Sequence, residues 1–185
     1  MKRTFIAVKI PVSKSTAGMI QEIKDELQNE KIKWVDFFNM HITLFFLGDT
    51  REEMIEKIIS ELEHVFIDKK KFVLKGKGVG VFKNWKNPRV VWLGIERSQY
   101  LQDLKNEIDQ WMQNMGFPIE ERAFKPHLTL GRVKSVINKD KLRMVVERYK
   151  DVEFQDFMVG KVVFYESRLT QAGPVYKVIK QFPLN

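Results

Sequence analysis

The chain has 185 residues, 44% of them apolar, which is enough for one core and short for two independent domains. A net charge of +8 and a pI near 9.5 favour a polyanionic partner, because a positive field concentrates phosphates. The lack of cysteine excludes disulfides, thiolate catalysis and Cys-ligated zinc or iron–sulfur centres, and it is compatible with a reducing compartment, so a cytoplasmic protein is expected.

The opening MKRTFIAVKIP pairs a basic start with a short apolar run and no small-residue cleavage site, which predicts a strand over 4–10 rather than an export signal. No apolar run approaches the roughly 18 residues of a membrane span. Ile20, Ile23 and Leu27 at helical spacing predict a helix over 14–30, capped by Ser13. A short buried strand over 40–47 is expected to end at Gly48-Asp49-Thr50, with Asp49 or Thr50 opening a helix through 66 on the stripe Ile55, Ile58, Ile59, Leu62, Val65 and Phe66. His64 falls off that stripe and reads as a solvated side chain.

A long strand is predicted over 71–82. Its glycines at 76, 78 and 80 lack the helix start and the Lys-Ser/Thr ending of a phosphate loop, so they read as a bulge. Residues 84–89 form a turn, followed by a strand over 90–95 and a helix over 99–115 stopped by Gly116. A strand over 127–132, a helix over 139–149, a strand over 153–166 and a closing strand over 175–181 complete the chain.

Slid along itself, the sequence matches His41-Ile-Thr-Leu to His127-Leu-Thr-Leu at a shift of 86 (127 minus 41). Phe38 and Phe124 obey the same shift, as do Pro88 and Pro174, and the N-terminal strand lands on residues 91–96. This pattern predicts an internal duplication. The fold class expected is α+β: one bilobal unit over 1–185, its lobes related by a pseudo-twofold axis that brings the two His-strands face to face.

In a strand, His41 and Thr43 share one face while Ile42 and Leu44 point to the other; His127 and Thr129 stand likewise against Leu128 and Leu130. Two such strands surround one volume with two groups that exchange protons near neutral pH and two hydroxyl donors suited to phosphate oxygens. Opening a cyclic phosphodiester needs water deprotonated on one side of phosphorus and the leaving ribose oxygen protonated on the other, which two histidines of opposite protonation state can do. Thr43, Thr129 and Arg132 are the candidates for charge stabilisation, Arg132 through its forked donors. The plainer readings are core histidines and β-branched strand formers, with Phe45, Phe46, Trp85 and Trp92 as packing. A zinc site is not expected, since neither histidine has a second histidine or a carboxylate two or four residues away.

HITLFFLG and HLTLGR resemble the paired signature of the 2H phosphoesterase superfamily, and most closely that of the RNA 2′,3′-cyclic phosphodiesterases, also called 2′-5′ RNA ligases. The start RTFIAVKIP, Trp34, Arg132 and the tail YESRLTQAGPVY extend the resemblance over nearly the whole chain. It implies a monomeric enzyme without metal, ATP or other cofactor, folded as two antiparallel sheets flanked by helices around a cleft. It also implies hydrolysis of an RNA 2′,3′-cyclic phosphate to the 2′-phosphomonoester, with 2′-5′ ligation as a possible reverse reaction. By position, His41 is then the proton donor to O3′ and His127 the proton acceptor from water. Thr43, Thr129 and Arg132 bind the phosphate, and Phe46 stacks on the terminal base. Strict alternation would put Phe46 and Arg132 on the face opposite the histidines unless Gly131 or the strand ends turn them. Two other readings remain open: the same site acting on ADP-ribose 1″,2″-cyclic phosphate or another small cyclic nucleotide, and an RNA-binding module without chemistry.

Overall fold

The structure is a computed structural model and describes residues 1–171 and 173–185. In chain order it runs β1 (Lys2–Lys9), α1 (Lys14–Glu26), β2 (Lys31–Trp34), a single 3-10 turn at Phe37–Asn39, β3 (His41–Thr50), α2 (Glu52–Phe66), β4 (Phe72–Phe82), β5 (Val90–Ile95), α3 (Gln99–Asn114), β6 (His127–Ser135), α4 (Lys139–Tyr149), β7 (Glu153–Val159), β8 (Lys161–Leu169) and β9 (Pro174–Pro183). The strands form two antiparallel sheets, one of order β3-β1-β8-β9 and one of order β2-β6-β5-β4-β7. None of the helices among the described residues is long and apolar enough to cross a membrane.

Each sheet borrows from both halves of the chain. The first sets β8 and β9 beside β1 and β3, and the second sets β4 and β7 beside β5 and β6. The sequence β3-β1-β8-β9 thus has its counterpart in β6-β5-β4-β7, with β2 added at one edge. Helices cross over as well, with α3 packing on β3, α1 against β7 and α4 on β4. The resulting core is one connected cluster that includes Ile6, Ile20, Ile58, Leu104, Leu128 and Leu142. Burying each such aliphatic side chain contributes about 1.5–3 kcal/mol, so the two sheets cannot separate without exposing a shared interior.

β1 shows why its sequence is an unbroken apolar run rather than an alternating one. Ile6 and Val8 enter the main core, while Phe5 and Ala7 join Val163, Tyr165 and Tyr176 in a small second cluster on the opposite face. Caps follow ordinary chemistry: the side chains of Ser13, Ser98 and Asn138 accept from Thr16, Leu101 and Lys141 backbone N–H groups at the starts of α1, α3 and α4. Gly76, Gly78 and Gly80 form the expected bulged strand, with register shifts against both neighbours.

Several boundaries differ from expectation. β3 does not stop at Gly48 but runs to Thr50, because the Thr50 hydroxyl lies 2.7 Å from that of Thr4 across the sheet and is unavailable as a cap. Arg51 takes the cap position without a side-chain bond, and Glu52 and Glu53 in the first turn complement the helix dipole instead. α1 ends at Glu26; Glu30 turns inward and accepts from the Ile137 and Asn138 N–H groups at 2.6 and 3.1 Å, and the four-residue β2 follows where no strand was expected. The single strand expected over 153–166 is two strands in different sheets, β7 on β4 and β8 between β1 and β9, joined at Gly160. A strand-forming segment carries no mark of a change of partner. β9, which the 86-residue shift aligns with β5, instead holds the edge place that β7 holds in the other sheet.

Candidate active site

Each histidine opens its strand, His41 in β3 and His127 in β6. His41 Nδ1 lies 2.6 Å from the Asn39 carbonyl oxygen, and His127 Nδ1 lies 2.7 Å from that of Lys125. A carbonyl can only accept, so Nδ1 carries the hydrogen in both rings and Nε2 is left as the free nitrogen. Each ring also meets an aromatic edge. Tyr176 stands 5.1 Å from His41 at 85°, and Phe82 stands 4.5 Å from His127 at 84°. Phe5 lies tilted against His41 at 5.0 Å.

Both imidazoles are held below their usual pKa. For His41 the main cause is desolvation; the Asn39 carbonyl opposes it, while charge on His127 and on Arg132 adds to the lowering. Desolvation also leads for His127, opposed by the Lys125 carbonyl, with Arg132 lowering and Glu120 raising. The two rings and the guanidinium are therefore within electrostatic reach of one another, although 86 residues separate the histidines in sequence (127 minus 41).

The alternation problem is resolved by a pair of bulges. Between β1 and β3, Ala7 pairs with Thr43 and Ile6 with Phe45, so Leu44 is skipped; between β5 and β6, Trp92 pairs with Thr129 and Val91 with Gly131, so Leu130 is skipped. The fourth residue of each His-x-Thr-Leu motif is thus the inserted one, and both residues of each bulge, Leu44 with Phe45 and Leu130 with Gly131, are buried. Phe46 then falls opposite Phe5, and Arg132 opposite Val90, which returns both to the histidine face. The first seven residues of β3 and of β6 accordingly share one burial pattern: half-buried at the histidine and threonine, exposed at Phe46 and Arg132, and buried elsewhere.

A cleft of about 410 Å³ is lined by His41, Thr43, Thr129 and Arg132, a size that suits a small polar ligand; His127, on the same face of β6 as Thr129, is not one of its lining residues. Phe46 is 51% exposed on the same face, outside the lining of this cleft, with the Arg3 guanidinium over its ring 4.9 Å from the ring centre. Gly131 lets β2 pair closely beside β6: a Cβ there would stand 2.5 Å from Ile32 Cγ2 and 2.9 Å from Trp34 Cε3. Among the described residues no three His, Asp or Glu side chains gather as a metal set.

Sequence reasoning missed Tyr176, Lys24 and Lys33, which line the same cleft. Tyr176 has no local signal, since its place depends on β9 pairing with β8. Lys33 was within reach, because it precedes Trp34 in a segment whose strand character went unread.

Comparison with known proteins matches the description "LigT like Phosphoesterase" to residues 8–92 and again to residues 93–176. The chain is 37% identical over 180 residues to the RNA 2′,3′-cyclic phosphodiesterase of Methanocaldococcus jannaschii, covering 97% of this chain and 99% of that relative. It is 38% identical over 181 residues to the protein of the same description from Thermotoga maritima, covering 96% and 92%. Among solved structures, that of E. coli LigT complexed with 3′-AMP superposes with a TM-score of 0.75 at 23% identity, over 100% of this chain and 98% of that one.

Proposed function

The chain belongs to the LigT-like phosphoesterase family, and on that premise we propose that it hydrolyses 2′,3′-cyclic phosphate ends of RNA to 2′-phosphomonoesters. The observation that carries this reading is the matched pair of imidazoles, each with Nδ1 tied to the carbonyl two residues upstream and Nε2 free, and each lowered by the charge of Arg132, which lines one cleft with His41 and two threonines.

In the proposed reaction His127 Nε2 takes a proton from water as the water oxygen attacks phosphorus. The P–O3′ bond breaks, and His41 Nε2 gives its proton to O3′. Thr43, Thr129 and Arg132 hold the non-bridging oxygens as charge builds on them, and Phe46 supports the terminal base. The lowered pKa of both rings supplies a neutral base near neutral pH, and an arriving phosphate anion favours the protonated form of the acid. Each proton transfer is worth about a hundredfold to ten-thousandfold.

The same reading makes residues 1–185 one bilobal domain that arose by duplication, acting as a monomer in the cytoplasm without metal. The matched strand order of the two sheets and the twofold family match support the duplication, and the lack of cysteine is compatible with a reducing compartment. The test is turnover of an oligoribonucleotide with a 2′,3′-cyclic end in the presence of EDTA. A 2′-phosphate product is expected, with His41→Ala and His127→Ala each losing at least about a hundredfold. Full activity in either variant would defeat the assignment.

A further inference from the structure

Beyond the two histidine motifs, the cleft continues to a wall built by β2 and α1, and that wall is basic. Lys33 of β2 lies directly opposite Arg132 of β6 in the antiparallel ladder, so the two side chains share a face at the close spacing of a cross-strand pair, about 4.5–5.5 Å between Cβ atoms. Both line the cleft. Like charges directly opposed across strands repel, and no carboxylate pairs with them: among the described residues neither Lys33, Arg132 nor Lys24 takes part in an ion pair.

Lys24 of α1 completes the wall. Its Nζ sits 4.7 Å from the ring centre of Phe37 and 5.9 Å from that of Trp34, so two aromatic faces hold it in place. Desolvation there lowers its pKa, partly offset by Asp36. Asp36 is the one carboxylate among the described residues lining this cleft, and its Oδ1 already accepts the Phe38 N–H at 2.9 Å. Three cations against one committed carboxylate leave the wall in want of an anion. The cyclic phosphate accounts for the donors around the histidines and for Arg132, and the lysines remain without a role.

We propose that Lys33 and Lys24 form a second phosphate subsite that receives the phosphodiester on the 5′ side of the terminal nucleotide. This rests on the phosphodiesterase reading above. The ribose of the terminal nucleotide carries its cyclic phosphate at one edge and its 5′ oxygen at the other. A ligand anchored at the histidines thus has its next phosphate displaced across the sugar, along the same cleft. An anion there would relieve the Lys33–Arg132 repulsion and favour the charged form of Lys24.

The experiment compares kcat/KM for three substrates: adenosine 2′,3′-cyclic phosphate, its 5′-phosphorylated form, and a dinucleotide ending in the same cyclic phosphate. The wild-type enzyme is expected to prefer the dinucleotide over the unphosphorylated nucleoside by at least about tenfold. Lys33→Gln and Lys24→Met should each shrink that ratio, Lys33→Arg should keep it, and the salt dependence of dinucleotide turnover should flatten by about 0.7 in logarithmic slope for each lysine charge removed from the phosphate. Because the first comparison uses wild-type protein alone, folding of the variants cannot obscure it. A ratio near one in the wild type, or a ratio unmoved by both substitutions, overturns the subsite. A preference for the 5′-monophosphate without one for the dinucleotide also overturns it, by showing a site for small nucleotides. Failure to open any of the three substrates defeats the phosphodiesterase reading itself, an outcome distinct from opening all three equally.

Discussion

His41 donates its Nδ1 hydrogen to the Asn39 carbonyl across 2.6 Å, and the 3-10 turn that ends at Asn39 is what holds that carbonyl in place. The ring cannot rotate without breaking this bond, so Nε2 is presented as a fixed acceptor in the neutral state. Nitrogen chemical shifts measured near pH 8 should show the Nδ1–H tautomer for both His41 and His127. Finding Nε2–H as the main form in either ring would remove the geometric basis for proton exchange there.

Acidity should weaken the fold earlier than carboxylate titration alone predicts. Both imidazoles have folded-state pKa values below the ordinary 6.5, so an unfolded chain binds protons in a range where the native chain does not. The contribution of these residues is fully present above 6.5 and is lost as the pH falls through their lowered values. Glu166, whose carboxyl is lowered by its bond to Arg168, acts in a separate window below 4.5. Urea midpoints should therefore fall between about pH 7 and pH 5, and fall less in the His41→Asn, His127→Asn double variant. Equal slopes for the two proteins would refute the burial argument.

Arg132 serves two ends at once, since its charge lowers both histidines while its donors face the cleft. Replacing it by alanine should move both imidazole titrations upward, as followed by ring-proton NMR, and reduce kcat/KM by about tenfold to a hundredfold through loss of a charge-assisted bond. Arg132→Lys should restore the titrations but not the forked geometry. Unchanged titrations in the alanine variant would place the guanidinium away from the rings.

Gly78 stands at φ +82°, and a Cβ there would lie 2.3 Å from the Lys150 carbonyl oxygen, a backbone atom that cannot swing aside. Gly78→Ala should destabilise by about 1–3 kcal/mol, read as a drop in the denaturation midpoint. The neighbouring β4 glycines lie instead under the rings of Phe154 and Trp92, where a side chain can shift, so Gly76→Ala is expected to cost less. A milder effect at position 78 than at 76 would contradict this ranking.

Most elements were legible because their signals are local. The stripe Ile55, Ile58, Leu62, Val65 locates α2, Gly116 at φ +86° ends α3, and Ser13 caps α1 as its position implies. The exchange of long strands between the halves left no such trace. β7 and β8 read as one strand because Gly160 alone separates them, and which sheet a strand joins depends on partners more than a hundred residues away in the case of β1 and β8. The face on which Phe46 and Arg132 emerge was equally hidden, since a one-residue bulge at Leu44 or Leu130 moves the side chains that follow it to the other face.

The amino-acid sequence by itself determined the chemistry available: two His-x-Thr-Leu motifs at a fixed shift, an arginine after the second, a basic surplus and no thiols. Only the tertiary structure decided that these groups meet. Periodicity records which face of an element avoids water. It does not record which other element covers that face, and the cleft exists because β3 and β6, each bulged at the same motif position, lie beside one another in the assembled molecule.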